Sequence, residues 1–487
     1  LSRGLGDVYK RQLLLSIFFI FLFLFFLFFN PFSLPQIQNL REPILGQRAS
    51  FEISILALKE SLKSAIFGSG IGTFFYDFSK FKPLYLNNTL FWNLRFDRAG
   101  SHLAEILATM GIFGLLTYLI FVFSFSLLFL VSLFKKKEFF VFFLPFLTLF
   151  LAQILYYQNA TLAFAFWFFF GLLTLNIEKT QEKKISFEKI PELSLLFNTF
   201  SILIFAFSIF VFYFAIRFYL ADFYYKKAVL SQNGPEQVSL IQKALTLNPL
   251  NPQYRLDLAR AHFARLVLEI QKPSDQQDQS LISNSAAAAI NYLKGMRSED
   301  GKIIIKGVSE ISPNWVLGWE NLGMVYREIT SLVSPETKNQ AIDWAIKSFE
   351  RAKNLEPKNP VFENELGKLY LAKGEFQMAK EKFKKALDLS PPYFLNLAAY
   401  SLQADINFNL GLVYFNEKNF DQAISQFEKV ISIVPNHSNS LYFLGLIFEE
   451  KGEKEKALEY FKKVLELNPE NQVVSKKIEE LEKKEQK

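Results

Sequence analysis

Between Trp319 and Pro469 the chain repeats itself, and the spacing of the repeat fits paired helices. Leu366, Gly367, Tyr370, Ala379, Phe383, Ala386 and Pro391 mark one unit. The same order returns as Trp319, Leu322, Gly323, Tyr326, Ala345, Phe349, Ala352 and Pro357, here with an insertion between the two helices. Gly411, Tyr414, Ala423, Phe427 and Pro435 mark a third unit, and Gly445, Phe448, Ala457, Phe461 and Pro469 a fourth, 34 residues on. Extra residues separate the second unit from the third. In each unit the glycine admits close approach of two helices, the aromatic residues fill the gap, and the proline ends the second helix before the next begins. A single helix pair cannot bury its apolar face alone, so such units must stack.

This succession resembles the tetratricopeptide repeat, and the resemblance implies an α-solenoid that binds peptides or proteins along a concave face. Gly323, Gly367, Gly411 and Gly445 are its packing positions, and no catalysis is implied. Residues 312–471 are expected to hold the repeats. Upstream, Ala244-Leu245-Thr246-Leu247-Asn248-Pro249 looks like the tail of a degenerate unit, so residues 222–311 should continue the array irregularly. Residues 472–487 read as a polar capping helix.

The first half has a different chemistry. Five apolar runs, Leu13 to Phe29, Leu103 to Phe134, Phe139 to Tyr157, Ala160 to Ile177 and Leu195 to Leu220, approach or exceed the roughly 20 residues that cross a bilayer. Lys135, Lys136 and Lys137 follow the second run, and Lys179, Lys183, Lys184 and Lys189 follow the fourth, which places those connections in the cytoplasm by the positive-inside rule. The loop over residues 30–102 and everything after Ala221 then lie outside, in a multi-pass protein of the cell membrane. The expected fold is all-α, a polytopic transmembrane helical domain over residues 13–221 followed by the solenoid. Leu1 to Gln12 stands apart, because Asp7-Val8-Tyr9-Lys10-Arg11-Gln12 looks like translated sequencing-adapter sequence; the native chain is expected to be truncated here.

Residues 1–220 carry 19 Lys and Arg against 12 Asp and Glu, while the rest carries 35 of each, so the whole +7 excess belongs to the membrane half. That distribution argues against a nucleic-acid partner for the repeats. The chain has no cysteine and only three histidines, which excludes disulfides and thiolate chemistry and leaves no metal or cofactor expected. His262 and His437 read as ordinary helix or loop residues.

The loop concentrates the ionisable groups of the membrane half. It ends in Asp97-Arg98-Ala99-Gly100-Ser101-His102 at the mouth of the second run, an expensive arrangement beside lipid. Phe51, Ile55, Leu58, Leu62 and Ile66 recur at helical spacing, so Phe51 to Ile66 is expected to be one amphipathic helix on the membrane or an ordinary surface helix. Gly68, Gly70 and Gly72 then alternate, as a tight turn that seats the loop or as a substrate contact; a dinucleotide signature they are not, since the preceding strand is missing. Gly111 and Gly114 suit helix packing through small residues. Tyr156, Tyr157, Gln158 and Asn159 form the outer tip between the third and fourth runs.

From Arg48 to Tyr118 this order resembles the O-antigen ligase and polymerase superfamily: an arginine opening an amphipathic helix, a Gly-x-Gly-x-Gly-x-Phe turn ending at Phe74, and an arginine element before Gly111-Ile112-Phe113-Gly114. The resemblance implies a membrane glycosyltransferase that moves glycan from a polyprenyl-pyrophosphate carrier to an acceptor hydroxyl on the outer face, without a cofactor. By it, Arg48, Arg95 and Arg98 would bind the pyrophosphate, with guanidinium matching phosphate oxygens. An ungapped match puts Gly100 where the family has its catalytic histidine. His102, two residues on, is then a displaced base, with Asp97 and Glu105 as the carboxylate alternatives. The partners implied are a lipid-linked glycan, membrane lipids and a protein partner or acceptor on the repeats. The alternative is a catalytically degenerate membrane anchor that displays the repeats as a protein-interaction scaffold.

Overall fold

The computed structural model describes residues 43–135, 140–175, 191–231 and 233–483. The run Leu13 to Phe29, the adapter-like start and Lys136 to Glu138 lie outside the described residues. The chain divides into two compact units, one made by residues up to 83 with 94–191, the other by Leu84–Asn93 with Glu192–Lys487.

The first unit is built on α1 (Gln47–Leu58), α2 (Leu62–Phe67), α3 (Phe74–Phe81), α4 (His102–Lys135), α5 (Phe140–Leu155) and α6 (Ala160–Leu175). The expected single helix over Phe51 to Ile66 is two, broken at Lys59 to Ser61, where the Ser61 hydroxyl caps the backbone N–H of Ser64 at 3.0 Å. Its buried face is the one made of small residues rather than the one with the large apolar side chains. Ala49, Ser50, Ile53, Ser54 and Ala57 are buried, while Phe51, Ile55, Leu62 and Ile66 are exposed. The small residues decide this, because they let α1 press closely against α4, where Ala104 and Ala108 are fully buried. Ser54 Oγ donates to the Ala104 carbonyl at 2.7 Å across that contact.

Helix α4 is interrupted at Gly111, whose φ of 71° belongs to the left-handed region. Further along, α4, α5 and α6 share an aromatic core in which Phe129, Phe146 and Phe166 are buried. Phe146 stacks on Phe166 at 5.2 Å and meets Phe129 edge-on at 5.5 Å.

The second unit begins with α7 (Pro191–Leu230), 40 residues without a break. Among the described residues, two helical stretches are long and apolar enough to cross a membrane, His102–Val131 in α4 and Ser194–Leu230 in α7. The expected third and fourth spans correspond to α5 and α6, each 16 residues long among the described residues. Along α7 the side chains from Leu195 to Tyr213 are largely exposed, then Ala221 and Ala228 are fully buried against α8 (Gly234–Leu247) and α9 (Pro252–Ile270). Tyr225 donates to Asp257 at 2.6 Å, and Tyr254 donates to Asp222 at 2.5 Å. The C-terminal end of the apolar stretch is thus built into the first layer of the array.

Helix α9 pairs with α10 (Gln279–Lys294), followed by a short antiparallel hairpin of β1 (Gly295–Arg297) and β2 (Ile303–Lys306), and by α11 (Val308–Ile311). The all-α expectation therefore needs this one correction: Asp300-Gly301, with Gly301 at φ 80°, makes the turn and Ile303-Ile304-Ile305 the return strand. The four expected repeats follow as α12 (Val316–Ile329) with α13 (Pro335–Leu355), α14 (Pro360–Ala372) with α15 (Phe376–Leu389), α16 (Leu397–Asn416) with α17 (Phe420–Ile433), and α18 (Ser438–Glu450) with α19 (Lys454–Leu467). Helix α20 (Gln472–Lys483) closes the stack, burying Val474, Ile478 and Leu481 and leaving its polar face outward.

The conserved spacing within this chain has a direct steric cause. A Cβ at Gly323, Gly367, Gly411 or Gly445 would stand 2.8, 2.5, 2.6 or 2.6 Å from the ring of Phe349, Phe383, Phe427 or Phe461, respectively. All four rings are fully buried. We expect Gly411→Ala to destabilise the array by about 1–3 kcal/mol through overpacking. Thermal unfolding of the full chain would show a lowered midpoint, and Gly411→Ala combined with Phe427→Leu would lose less than the sum of the two single changes. Full additivity would contradict the interlock.

Candidate functional site

The mouth of α4 is assembled from three directions. Gln47 Nε2 donates to the carbonyls of Gly100 and Leu155, each at 2.8 Å, tying α1 to the approach of α4 and to the end of α5. The Gly100 N–H donates to Ser50 Oγ at 2.8 Å, and the His102 N–H donates to the Tyr156 carbonyl at 3.0 Å. Asn159 Oδ1 caps α6 through the Leu162 N–H at 2.8 Å. Sequence reasoning singled out the arginines and the histidine but missed Gln47 and Ser50, ordinary polar residues whose role depends on partners about 50 to 108 positions away.

Arg98 is already engaged. Its Nε and Nη2 bond both oxygens of Asp97 at 2.9 and 3.0 Å, and its guanidinium lies over the Tyr157 ring at 5.0 Å. Asp97 and Glu105 share this neighbourhood, Glu105 feeling both Arg98 and Asp97. The pocket lined by Leu45, Phe96, Asp97, Arg98, Ala99 and Tyr157 has a volume of about 20 Å³, room for about one water. Arg48, on the exposed first turn of α1, and Arg95, half-buried, do not line it.

Gly100 has a structural reason to be glycine. A Cβ there would stand 1.8 Å from the Leu45 carbonyl oxygen, so this backbone admits no side chain at the position where the resemblance puts a histidine. His102 opens α4 with its ring edge-on to Tyr118 at 5.9 Å, and its Nδ1 is buried with no hydrogen-bond partner. No group that could orient the ring as a base bonds this nitrogen among the described residues.

The alternating glycines form a seat. The N–H groups of Ser69 and Gly70 donate to the Ala108 and Thr109 carbonyls at 3.0 and 2.9 Å. Those carbonyls lie just before the break at Gly111, where a helix has acceptors to spare. Gly68 and Gly111 meet so closely that a Cβ on either would fall within 2.4 Å of the opposing backbone. Donors spent on carbonyls in this way cannot cradle a phosphate. Beside the turn, Ser69 Oγ donates to Asp77 Oδ2 at 2.5 Å, and burial of Asp77 raises its pKa to about 6, against the pull of the Ser69 bond.

The repeats present a second arrangement. Along the first helices of successive pairs runs a ladder of polar contacts: Arg260 to Asn321 at 3.2 Å, Arg327 to Glu365, Lys368 to Glu365 at 3.1 Å, and Lys368 to Asp405 at 2.5 Å. Asn364 and Asn409 donate to the two oxygens of Asp405 at 2.7 and 3.0 Å. Burial opposes the charge on Lys368, yet Glu365 and Asp405 outweigh it and hold its ammonium above the ordinary range. Further on, Phe408, Leu412, Phe415 and Leu446 leave partly buried apolar surface. His437 caps α18, its Nδ1 accepting from the Ser440 N–H at 3.1 Å, and His262 stacks on Tyr292, both ordinary structural roles.

Residues 364–393 and 402–470 match two family models, each described as Tetratricopeptide repeat. Among curated proteins, Superkiller protein 3 of Schizosaccharomyces pombe is 23% identical over 256 residues, 52% of this chain and 16% of that protein. The chain thus spans about a sixth of the length of that relative. Among solved structures, a crystal structure of MamA matches with 28% identity and a TM-score of 0.30, covering 39% of this chain and 92% of that one. YrrB, described as a TPR protein with an unusual peptide-binding site, matches with 19% identity and a TM-score of 0.31, covering 48% and 95%. The C-terminal half carries tetratricopeptide repeats of the kind that serve as protein-interaction scaffolds.

Asp77 makes the first unit pH-sensitive. Its folded pKa of about 6 exceeds the unfolded 3.8, so the stabilising contribution of the neutral acid is complete below pH 3.8 and is lost as pH rises through 6. Limited proteolysis of the segment between α2 and α3 in nanodiscs should slow as pH falls from 7 to 5. Asp77→Asn should remove that dependence; an unchanged slope in the variant would contradict the assignment.

Proposed function

We propose that this protein is a membrane-tethered scaffold, with α7 as the tether and the tetratricopeptide repeats as the surface that receives a protein partner. The observation that carries this reading is the continuity of α7, bare and apolar from Leu195 to Tyr213 and then buried in the array at Ala221 and Ala228. A contiguous apolar face of that length is not stable in water, and a bilayer is the environment that covers it all round. Tyr213 and Arg217 stand at its outer end, the guanidinium 5.8 Å from the ring and donating to the Thr246 carbonyl at 3.2 Å, a pairing suited to the membrane interface. The segment Leu84–Asn93, which comes from the loop before α4, lies in the same compact unit as the array, which supports loop and array sharing the outer face. Partner recognition is assigned to the first helices of the pairs, where the ladder from Arg327 to Asp405 gives way to Phe408, Leu412 and Phe415. A partner segment with charges toward one end and apolar residues toward the other fits that order.

The absence of cysteine permits single-cysteine scanning of the otherwise native chain. With a membrane-impermeant maleimide, positions from Leu195 to Phe212 should be unreactive, and Val229 and Leu250 should react from outside intact cells. Uniform reactivity along α7 would reject the tether, and reaction at Leu250 only after lysis would reject the outer orientation.

A second reading, glycan transfer from a polyprenyl-pyrophosphate carrier, is supported by the gathering of Arg98, Asp97 and Glu105 at the mouth of α4. In it, Arg98 leaves Asp97 and Tyr157 to meet the pyrophosphate. Arg98→Ala would then abolish glycan transfer in cells at unchanged protein level, and unaltered glycan would reject this reading.

A further inference from the structure

Ten residues of the loop belong to the repeat unit, and two of them, Asn87 and Trp92, are buried where the repeat spacing is interrupted. The spacing from Gly367 to Gly411 is ten residues longer than the spacing from Gly411 to Gly445. Seven of the extra residues lengthen the start of α16 and three lengthen the linker Ser390 to Asn396, which holds a Pro391-Pro392 turn and a short 3₁₀ helix at Tyr393–Leu395. At this junction α15 ends and α16 begins, so the last carbonyls of one helix and the first N–H groups of the next need partners.

The segment Leu84–Asn93 supplies some of them. Its Asn87 is 1% exposed, and the carboxamide Nδ2 donates to the Lys358 and Leu389 carbonyls, each at 2.8 Å. Leu389 is the last residue of α15, and Lys358 lies in the turn that precedes α14, so one side chain bridges two repeat junctions. Five residues on, Trp92 is 4% exposed and belongs to the apolar cluster that contains Ala386, Ala399 and Leu402. Its indole N–H donates to Asn396 Oδ1 at 3.3 Å, the oxygen that also caps α16 through the Ala399 N–H at 2.9 Å. Between the two anchors the segment holds its own turn: Thr89 Oγ1 donates to the Leu86 carbonyl at 2.7 Å, and the Trp92 N–H donates to the Thr89 carbonyl at 3.1 Å.

We propose that the junction between the second and third repeats is a peptide-binding site for a short turn-forming segment with an asparagine and, five residues on, a tryptophan, filled in cis by Leu84–Asn93. The chemistry selects that segment. Asparagine is the short side chain whose NH₂ group can donate to two backbone carbonyls at once, and tryptophan joins a large apolar body to a single donor. Cis occupancy makes the segment a latch, with Asn87 and Trp92 as its two anchors on the array. The latch stands on contacts within the repeat unit and does not depend on the membrane reading.

Two measurements on the full chain in detergent or nanodiscs test it. A photo-crosslinking residue in place of Phe91 should attach to peptides within residues 386–402; attachment confined to residues 43–83 and 94–175 would overturn the latch. In the second, a fluorescent peptide of the sequence Leu84 to Asn93 is titrated into the native chain and into the Asn87→Ala variant, with circular dichroism confirming the fold. A tethered occupant competes at an effective concentration in the millimolar range, so weakening it should tighten apparent peptide binding by about 10-fold or more. The same peptide carrying alanine for its asparagine or its tryptophan should bind neither. Equal affinity for both proteins, or none for either, would overturn the proposal, and the crosslink decides the matter if the variant does not fold.

Discussion

The unbroken hydrogen-bond ladder of α7 is the constraint on which the rest of the second unit depends. Forty helical residues rise about 60 Å, roughly twice the thickness of a hydrocarbon core. The first half of that length is apolar and uncovered, and the last turns are packed as a helix of the array through Ala221 and Ala228. A helix bends sharply only where proline, a bulge or an inserted group interrupts the ladder, and α7 has no proline after Pro191. Whatever surface the repeats offer is therefore held in a set orientation to the apolar stretch of α7.

Within the array, order is transmitted by two different kinds of contact. Apolar interlocks such as Gly411 with Phe427 fix each pair of helices, and the polar ladder through Arg327, Glu365, Lys368 and Asp405 ties one pair to the next. A half-buried run of opposite charges gains little net stability over an apolar packing, and its value lies in specifying which helix stands next to which. The inserted junction at Ser390 to Asn396 is the place where this regularity fails, and there the chain brings in Asn87 and Trp92 from elsewhere.

The repeats were legible because each carries its packing signal within a few tens of residues, and so was the turn at Gly68, Gly70 and Gly72. What the turn rests on was not legible, since the Ala108 and Thr109 carbonyls come from a helix whose break at Gly111 no periodicity reveals. Which face of α1 packs against protein was not legible for a physical reason: Ser50, Ser54 and Ala57 allow a closer helix contact than the large side chains would, and leave Phe51 and Ile55 outside. The latch was invisible because its partners stand 271 to 304 residues away. At the mouth of α4 the sequence identified the charged residues but not their pairing, and pairing decides the chemistry: Arg98 spends its donors on Asp97, and Gly100 faces the Leu45 carbonyl.

The rigidity of α7 is the most direct point at which this account can fail. Spin labels on cysteines introduced at Phe210 and Leu250, in the otherwise cysteine-free chain reconstituted in nanodiscs, report the distance between the apolar stretch and the first turn of the array. A single narrow distance distribution is the result that a continuous helix built into the repeats predicts. A broad or multimodal distribution would show a hinge between membrane stretch and array, and would contradict the rigid tether on which the scaffold reading stands.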